Sequence, residues 1–592
     1  MTNRIEDYAM IGDCKTAALV GIDGSIDWLC LPHFDSGSCF TALLGDEDNG
    51  CWRIAPAGDS VDVHRRYDDG SLVLHTLFKT PEGQVELVDF MPIDAQHSHI
   101  VRVVRGISGS VAMRMKLVVR FDYGSTVPWV SKLDEQTHRL VAGADQLILR
   151  CPVDVRGENA HSVADFIVAE GRSVAFVLSH RPSYHPLPRP LDVDKALRRT
   201  LKFWHKWSDR CMGGGPWDDL IKRSLMVLKG LSFLPTGGIV AAPTTSLPEY
   251  IGSERNWDYR YCWLRDATLT LLALLNAGYV EEALAWRDWL IRAVAGSPDQ
   301  IQIMYSVRGE RRLDEWTIPW LSGYEGSCPV RVGNAAAKQL QLDIFGELSH
   351  AMAAAIKRGL PVIEHGLAVR DALLGHLETI WDQPDQGIWE TRAEPRHFVH
   401  SKVMAWVAFD RAASSDHTTD PAKRQRYRAI ADRIHASVCT HGVDPRCNCF
   451  TQSYGSPEMD ASLLLIAGVG FLPPDDERIR NTVAQIEKRL LVDGLVLRYE
   501  TQSGVDGLPP GEGAFLACSF WLVDNYVALG ELDKARALFE RLIALGNDVG
   551  LFAEEYDPRS RRHLGNFPQA FTHVALVNAA FTLTRALQSL GS

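Results

Sequence analysis

Over the first 190 residues, apolar and polar positions alternate with a period of two in short runs such as "SIDWLCL", "GSLVLHTLFKT", "GQVELVDFMP", "VAMRMKLVVRF" and "RSVAFVLSH". That period sends successive side chains to opposite faces of an extended chain, so each run reads as a half-buried strand. Gly-Asp, Asp-Gly and proline breaks separate the runs at hairpin intervals and leave no room for βαβ crossovers. The pattern predicts an N-terminal antiparallel β-sandwich over residues 1–190, ending in the stiff, proline-rich "RPSYHPLPRP".

Beyond residue 190 the period becomes helical. "DVDKALRRTLKFWHKWSDRC" predicts a linker helix within 191–215, and about a dozen further amphipathic segments follow, from "WDDLIKRSLMVLKGL" to "AFTHVALVNAAFTLTRAL". They come in pairs, one member rich in Leu and Ala and the other more charged, as expected when an outer ring buries an inner one. Two concentric rings of six predict an (α/α)6 toroid over 216–592, giving a multidomain β + α protein. Its long aromatic loops, 236–263 and 307–333, are expected to line the open end of a central funnel.

Composition narrows the possible functions. The chain has 592 residues, with 46% hydrophobic and 23% charged residues, which is ordinary for a folded two-domain protein. A formal charge of -12 without a long basic run argues against a nucleic-acid partner. The start "MTNRIEDYAMIGDCKTAALV" lacks a basic segment followed by a long apolar one, and no run is apolar for the length of a membrane span. The expectation is therefore a cytoplasmic protein with no membrane partner; a homo-oligomer is compatible with it. The 12 cysteines lie mostly in apolar contexts and read as buried thiols, not as a disulfide frame. One cluster, Cys439, His441, Cys447 and Cys449, lacks the spacing of a zinc knuckle, so no metal or cofactor is expected there.

The loops carry the candidate chemistry. "RNWDYRYCWLRDA" holds two Trp, two Tyr, three Arg and two Asp, a combination suited to a flat ligand with apolar faces and a hydroxylated rim, such as a pyranose. Within it, Arg265 and Asp266 are placed to clamp sugar hydroxyls, although Asp266 also reads as a helix N-cap. Hydrolysis of an acetal requires an acid and a carboxylate that activates water or attacks carbon. Glu390 in "GIWETRAEPRHF" adjoins Trp389, a setting that raises a carboxyl pKa by desolvation. Glu554 lies between apolar "GLFA" and Tyr556, and local chemistry alone does not choose between it and Glu555. Weaker candidates are Tyr324 and Arg331, with Glu325, at one helix entrance and Glu512 at another; either glutamate reads equally as an electrostatic helix-start residue. His397, His400 and His573 are isolated and read as packed or substrate-adjacent.

The order of sandwich, connecting helix and toroid, together with "RNWDYRYCWLRDA", "GSCPVRVGNAAAKQLQLDIFGEL", "GIWETRAEPRHFVHSKVMAWVAFDRA" and "GLFAEEYDP", resembles the bacterial glycoside hydrolase family 15 proteins. The resemblance spans nearly the whole chain. It implies a six-hairpin glycosidase fold, and an inverting glycoside hydrolase that releases glucose from an α-glucoside without a cofactor. By the same resemblance, Trp263, Arg265 and Asp266 hold glucose at the pocket bottom, Tyr259 stacks beside them, Glu390 is the acid and Glu554 the base. The base region reads Ala-Glu-Glu where glucoamylases of the family often read Pro-Glu-Gln, which is more similar to the trehalase branch. Alternatives are a glucoamylase- or glucodextranase-like exo-hydrolase of α-1,4 or α-1,6 glucosides and an inert sugar-binding toroid, although the latter has no need of glutamates at both positions. A terpene-cyclase-like toroid is disfavoured, because "PPDDERIRN" is the only partial acidic motif and it starts an ordinary charged helix.

Overall fold

In the computed structural model, residues 3–58, 62–94, 97–213, 215–362 and 364–590 are described. The N-terminal part is antiparallel throughout, with a four-stranded sheet over Tyr8–Phe40 and a larger sheet of eleven strands. The larger sheet is organised around β1 (Ser98–Val118). Its first half pairs with Ser173–Pro182 and Gly83–Phe90, and its second half with His161–Ala169 and Cys51–Pro56. The period of two is visible in its burial: Val111, Met113, Met115 and Leu117 are in the core, while Ala112 and Arg114 are exposed.

The helical part opens with α1 (Val193–Ser208), capped by Asp192, whose side chain accepts from Lys195 N. Then come α2 (Asp218–Gly230), α3 (Leu264–Asn276), α4 (Val280–Ala293), α5 (Asp343–Lys357), α6 (Glu364–Ile380) and α7 (Val399–Ala413). The series continues with α8 (Pro421–His441), the one-turn α9 (Leu465–Gly468), α10 (Glu477–Arg489), α11 (Leu516–Ala528), α12 (Leu532–Ile543) and α13 (Ala570–Leu590). Contacts run from α3 to α5, α7, α9, α11 and α13, and from α13 back to α3, which closes an inner ring. Helices α7 and α11 are buried along nearly their whole length, whereas α8, α10 and α12 bury one stripe each, so these three lie outside. Among the described residues no helix is long and apolar enough to cross a membrane.

The two parts share one continuous core. The Trp28 indole N–H donates to Pro243 O at 2.7 Å, and the Asn547 amide donates to Glu6 O and Tyr8 O at 3.1 and 2.8 Å. Ten cysteines are free and seven of them buried, but Cys447 and Cys449 are joined by a disulfide, contrary to the expectation of thiols only. This bridge spans a single intervening residue and frames no fold.

Candidate active site

The segments that lead into α3, α5, α7, α11 and α13 converge at one end of the inner ring. They enclose a cavity of 630 Å³, measured out to its open mouth and lined by residues from Glu249 to Phe571. Every lining residue belongs to the helical part, so among the described residues no loop of the sandwich reaches the cavity wall. Trp257, Tyr259, Phe515 and Phe571 supply aromatic faces, and Glu390 and Glu554 are carboxyl groups among them.

Glu390 sits in a tight turn, its N–H donating to Gly387 O at 3.2 Å. Its φ of +58° lies in the left-handed region, which costs a non-glycine residue about 1–3 kcal/mol and persists only where the surroundings enforce it. Here they do. The Trp263 indole N–H donates to Glu390 Oε1 at 2.6 Å, Arg265 Nη1 lies 3.6 Å from the same oxygen, and Gln339 Nε2 donates to Glu390 O at 3.2 Å. Burial pushes the carboxyl pKa up, and Arg265 and the Trp263 hydrogen bond only partly offset this.

Glu554 immediately precedes the strand Glu555–Asp557, so the two glutamates point to opposite sides. Glu554 lines the cavity, where its Oε2 accepts from Asn566 N at 3.2 Å and the Tyr259 hydroxyl hydrogen-bonds its carboxyl group. Gly565 makes this placement possible: at φ +72°, a Cβ there would stand 2.5 Å from Glu554 Oε2. Burial and the neighbouring Glu249 push the Glu554 pKa up against Arg498. Glu555 instead turns away from the cavity, accepting from Gly513 N at 2.8 Å with Arg498 Nη2 3.2 Å from its Oε1.

The three arginines of "RNWDYRYCWLRDA" have separate tasks. Arg255 Nη2 donates to Asp506 at 2.6 Å and anchors a distant loop. Arg260 is fully buried, donating to Asp258 at 2.7 Å and to the Tyr123 hydroxyl at 3.0 Å, which ties the loop to the sandwich. Arg265 alone of the three reaches Glu390; it donates to Asp266 Oδ1 at 2.6 Å and lies over the Phe571 ring at 5.0 Å. Asp266 is not an N-cap, since Trp263 holds that position, and it does not line the cavity: it lies in the first turn of α3 and holds Arg265.

Of the other expected residues, Tyr259 and Trp389 line the cavity, and Trp263 meets the lining residues Glu390 and Tyr259, donating to the first and lying edge-on to the ring of the second at 5.2 Å. Trp389 Nε1 donates to Asp460 at 2.9 Å. Tyr324, Arg331 and Glu512 do not line it. The Tyr324 hydroxyl donates to Asn3 O at 3.2 Å, and Arg331 donates to Glu254 O and Asn256 O with its guanidinium over Trp257 at 4.5 Å. Glu512 accepts from Arg498 Nη2 at 2.7 Å, behind the wall. His400 and His573 are fully buried, which depresses each imidazole pKa to about 3, and His397 stacks on Tyr454. The cluster at Cys439 and His441 does not gather as a ligand set among the described residues.

Several lining residues escaped the sequence reading. Glu249 accepts from Arg498 Nη2 at 2.8 Å, the Tyr499 hydroxyl donates to Asp506 at 2.9 Å, and Arg392 lies over Trp257 at 4.6 Å. The adjacent Arg and Tyr in "VLRYE", just after a helix, carry the same Arg-aromatic signature as the first motif and mark such a loop.

Residues 215–581 match the family model described as glycosyl hydrolases family 15, and residues 1–199 match one described as trehalase-like, N-terminal. The chain is 40% identical over 625 residues to a trehalase of Mycobacterium tuberculosis, an alignment covering 99% of this chain and 91% of that protein. It is 35% identical over 595 residues to a trehalase of Thermoplasma volcanium, covering 99% and 94%. A crystal structure of a bacterial glucoamylase complexed with acarbose matches at a TM-score of 0.73 and 13% identity, covering 98% of this chain and 94% of that one, and so shares its fold.

Proposed function

Because the chain belongs to glycoside hydrolase family 15, we propose that it is a trehalase, which hydrolyses α,α-trehalose to two glucose molecules with inversion at the attacked carbon. The observation that carries this reading is the pair of buried carboxyl groups, Glu390 and Glu554, lining one cavity walled by aromatic rings. Full-length similarity to trehalases, including the N-terminal part, favours trehalose over longer α-glucans.

In the proposed reaction Glu390 is the general acid. It protonates the glycosidic oxygen as the bond to the anomeric carbon breaks, and its raised pKa keeps that proton available. Glu554 is the general base, taking a proton from the water whose oxygen bonds to the opposite face of the same carbon. Tyr259 steadies Glu554, and Trp263 and Arg265 steady Glu390 while Asp266 holds Arg265 in place. Trp389, Tyr259 and Phe571 offer faces to the glucose ring. We extend the proposal to a cytoplasmic site of action, which the predominance of free, buried cysteines supports.

The test is glucose release from a panel of trehalose, maltose, isomaltose, panose and starch. Trehalose is expected to be the preferred substrate by at least an order of magnitude in kcat/KM. Equal or better use of maltose or isomaltose would replace the trehalase reading with an exo-α-glucosidase one.

A further inference from the structure

Outside the sugar cavity, at the start of β1, a second group of side chains has the composition of a metal site. Asp94, His97 and His99 each bring one ligand atom into a cluster in which all three lie within 4.8 Å of one another. The Asp94 Oδ1 to His97 Nδ1 distance is 3.7 Å. Tetrahedral coordination at the usual zinc–nitrogen and zinc–oxygen lengths separates ligand atoms by about 3.3–3.5 Å, so a small side-chain rotation closes the set.

The surroundings prepare these groups for coordination. His99 and Ser179 face each other in the register of β1 with Ser173–Pro182, and Ser179 Oγ lies 2.8 Å from His99 Nδ1. That contact fixes the ring and leaves Nε2 as the ligating nitrogen, as metal-bound histidines are generally held. The His97 N–H donates to Asp94 Oδ1 at 3.0 Å, so the carboxylate is held beside the imidazole. Lys15 Nζ donates to the carbonyls of Asp94 and His97 at 2.8 and 2.9 Å, which holds the backbone of both residues.

We propose that Asp94, His97 and His99 form a binding site for a borderline divalent transition-metal ion, with Zn2+ as its representative. Two imidazoles and one carboxylate suit zinc over magnesium or calcium, which prefer oxygen alone. The ion staples the sheets to the toroid: Ser98 Oγ donates to Asp13 at 2.8 Å, and Leu234 N of the helical part donates to Cys14 O at 2.8 Å in the same turn. Its role is structural, independent of Glu390 and Glu554.

The test is zinc binding by the full chain after dialysis against a chelator, read by competition with a chromophoric zinc indicator and by thermal melting. One equivalent is expected to bind and to raise Tm. His97→Gln and His99→Gln should lose that equivalent, and Ser179→Ala should bind about 10- to 100-fold more weakly, with the Tm of all three variants close to wild type in the chelator. Failure to bind zinc in a 1:1 ratio, or binding unchanged in both histidine variants, overturns the proposal. X-ray absorption of the zinc-loaded wild type needs no variant: nitrogen and oxygen ligands at about 2.0–2.2 Å, with imidazole scattering, are expected, and a shell of sulfur at about 2.3 Å would assign the metal to cysteines and overturn the site.

Discussion

Glu390 and Glu554 are the same residue type with opposite proposed tasks, and their surroundings separate them. Glu390 faces an indole donor and a guanidinium, whereas Glu554 has Tyr259, a backbone N–H and another carboxylate nearby. Each proton transfer is worth about 10²–10⁴-fold in rate, so each Gln substitution should reduce trehalose turnover by that order. A glucosyl substrate whose leaving group needs no protonation distinguishes them: Glu390→Gln is expected to recover much of its activity on it, and Glu554→Gln to stay inactive. A Glu555→Gln variant more impaired than Glu554→Gln would reassign the base.

The acidic limb of the pH profile is also decided by one residue. A base works only when ionised, and burial and Glu249 raise the Glu554 pKa, so activity should fall off with acid above the ordinary glutamate pKa of about 4.3. Replacing Glu249 by Gln removes a negative charge that favours the protonated form of Glu554. The acidic limb of kcat/KM should therefore move to lower pH in Glu249→Gln; a shift to higher pH, or none, would detach Glu249 from the base.

Among the elements, the segments entering the inner helices carry the whole cavity, and the hairpin Glu555–Asp557 with Arg562–Leu564 shows how tightly one is set. Gly565 follows that hairpin and packs against Glu554 in a left-handed conformation. Gly565→Ala should displace the carboxylate and lower kcat on the order of 100-fold with a much smaller loss of Tm. Wild-type turnover in that variant would mean that the position of Glu554 is not critical.

The same scale explains what the sequence revealed. Periodicity exposed the strands of the first part and the paired helices of the second, because burial of one face leaves a mark every two or 3.6 residues. Glu390 drew attention for a local reason, since Trp389 adjoins it in the chain, whereas local chemistry did not separate Glu554 from Glu555 and the choice rested on the family resemblance. Glu249, Arg498 and Asp506 did not stand out, because their partners are remote; Arg255 and Asp506 are 251 residues apart and meet only in the fold. Tyr324, Arg331 and Glu512 have the right chemistry in the right loops, yet their polar groups are taken up by the scaffold. Asp266 holds Arg265 and is not among the residues that line the cavity, a distinction that its place beside Arg265 in the chain does not reveal.

For the whole molecule, the sandwich supplies, among the described residues, no wall of the cavity but holds the loops that do. Arg260, within the sugar-facing motif, is anchored to Tyr123 and Ser36 of the sandwich, and Tyr324 to Asn3. A chain beginning at Asp192 is accordingly expected to be insoluble or weakly active, measured as soluble yield and trehalose turnover; a fully active isolated toroid would show that these anchors are dispensable.

The central claim is that water, activated by Glu554, attacks one anomeric carbon of trehalose from the face opposite the bond protonated at Glu390. That ring must leave as β-glucose, while the other departs with its α configuration untouched. Proton NMR of trehalose hydrolysis, recorded before mutarotation, tests this directly: α- and β-glucose should appear together in equal amounts from the first spectrum. Release of α-glucose alone would mean retention and would contradict the mechanism.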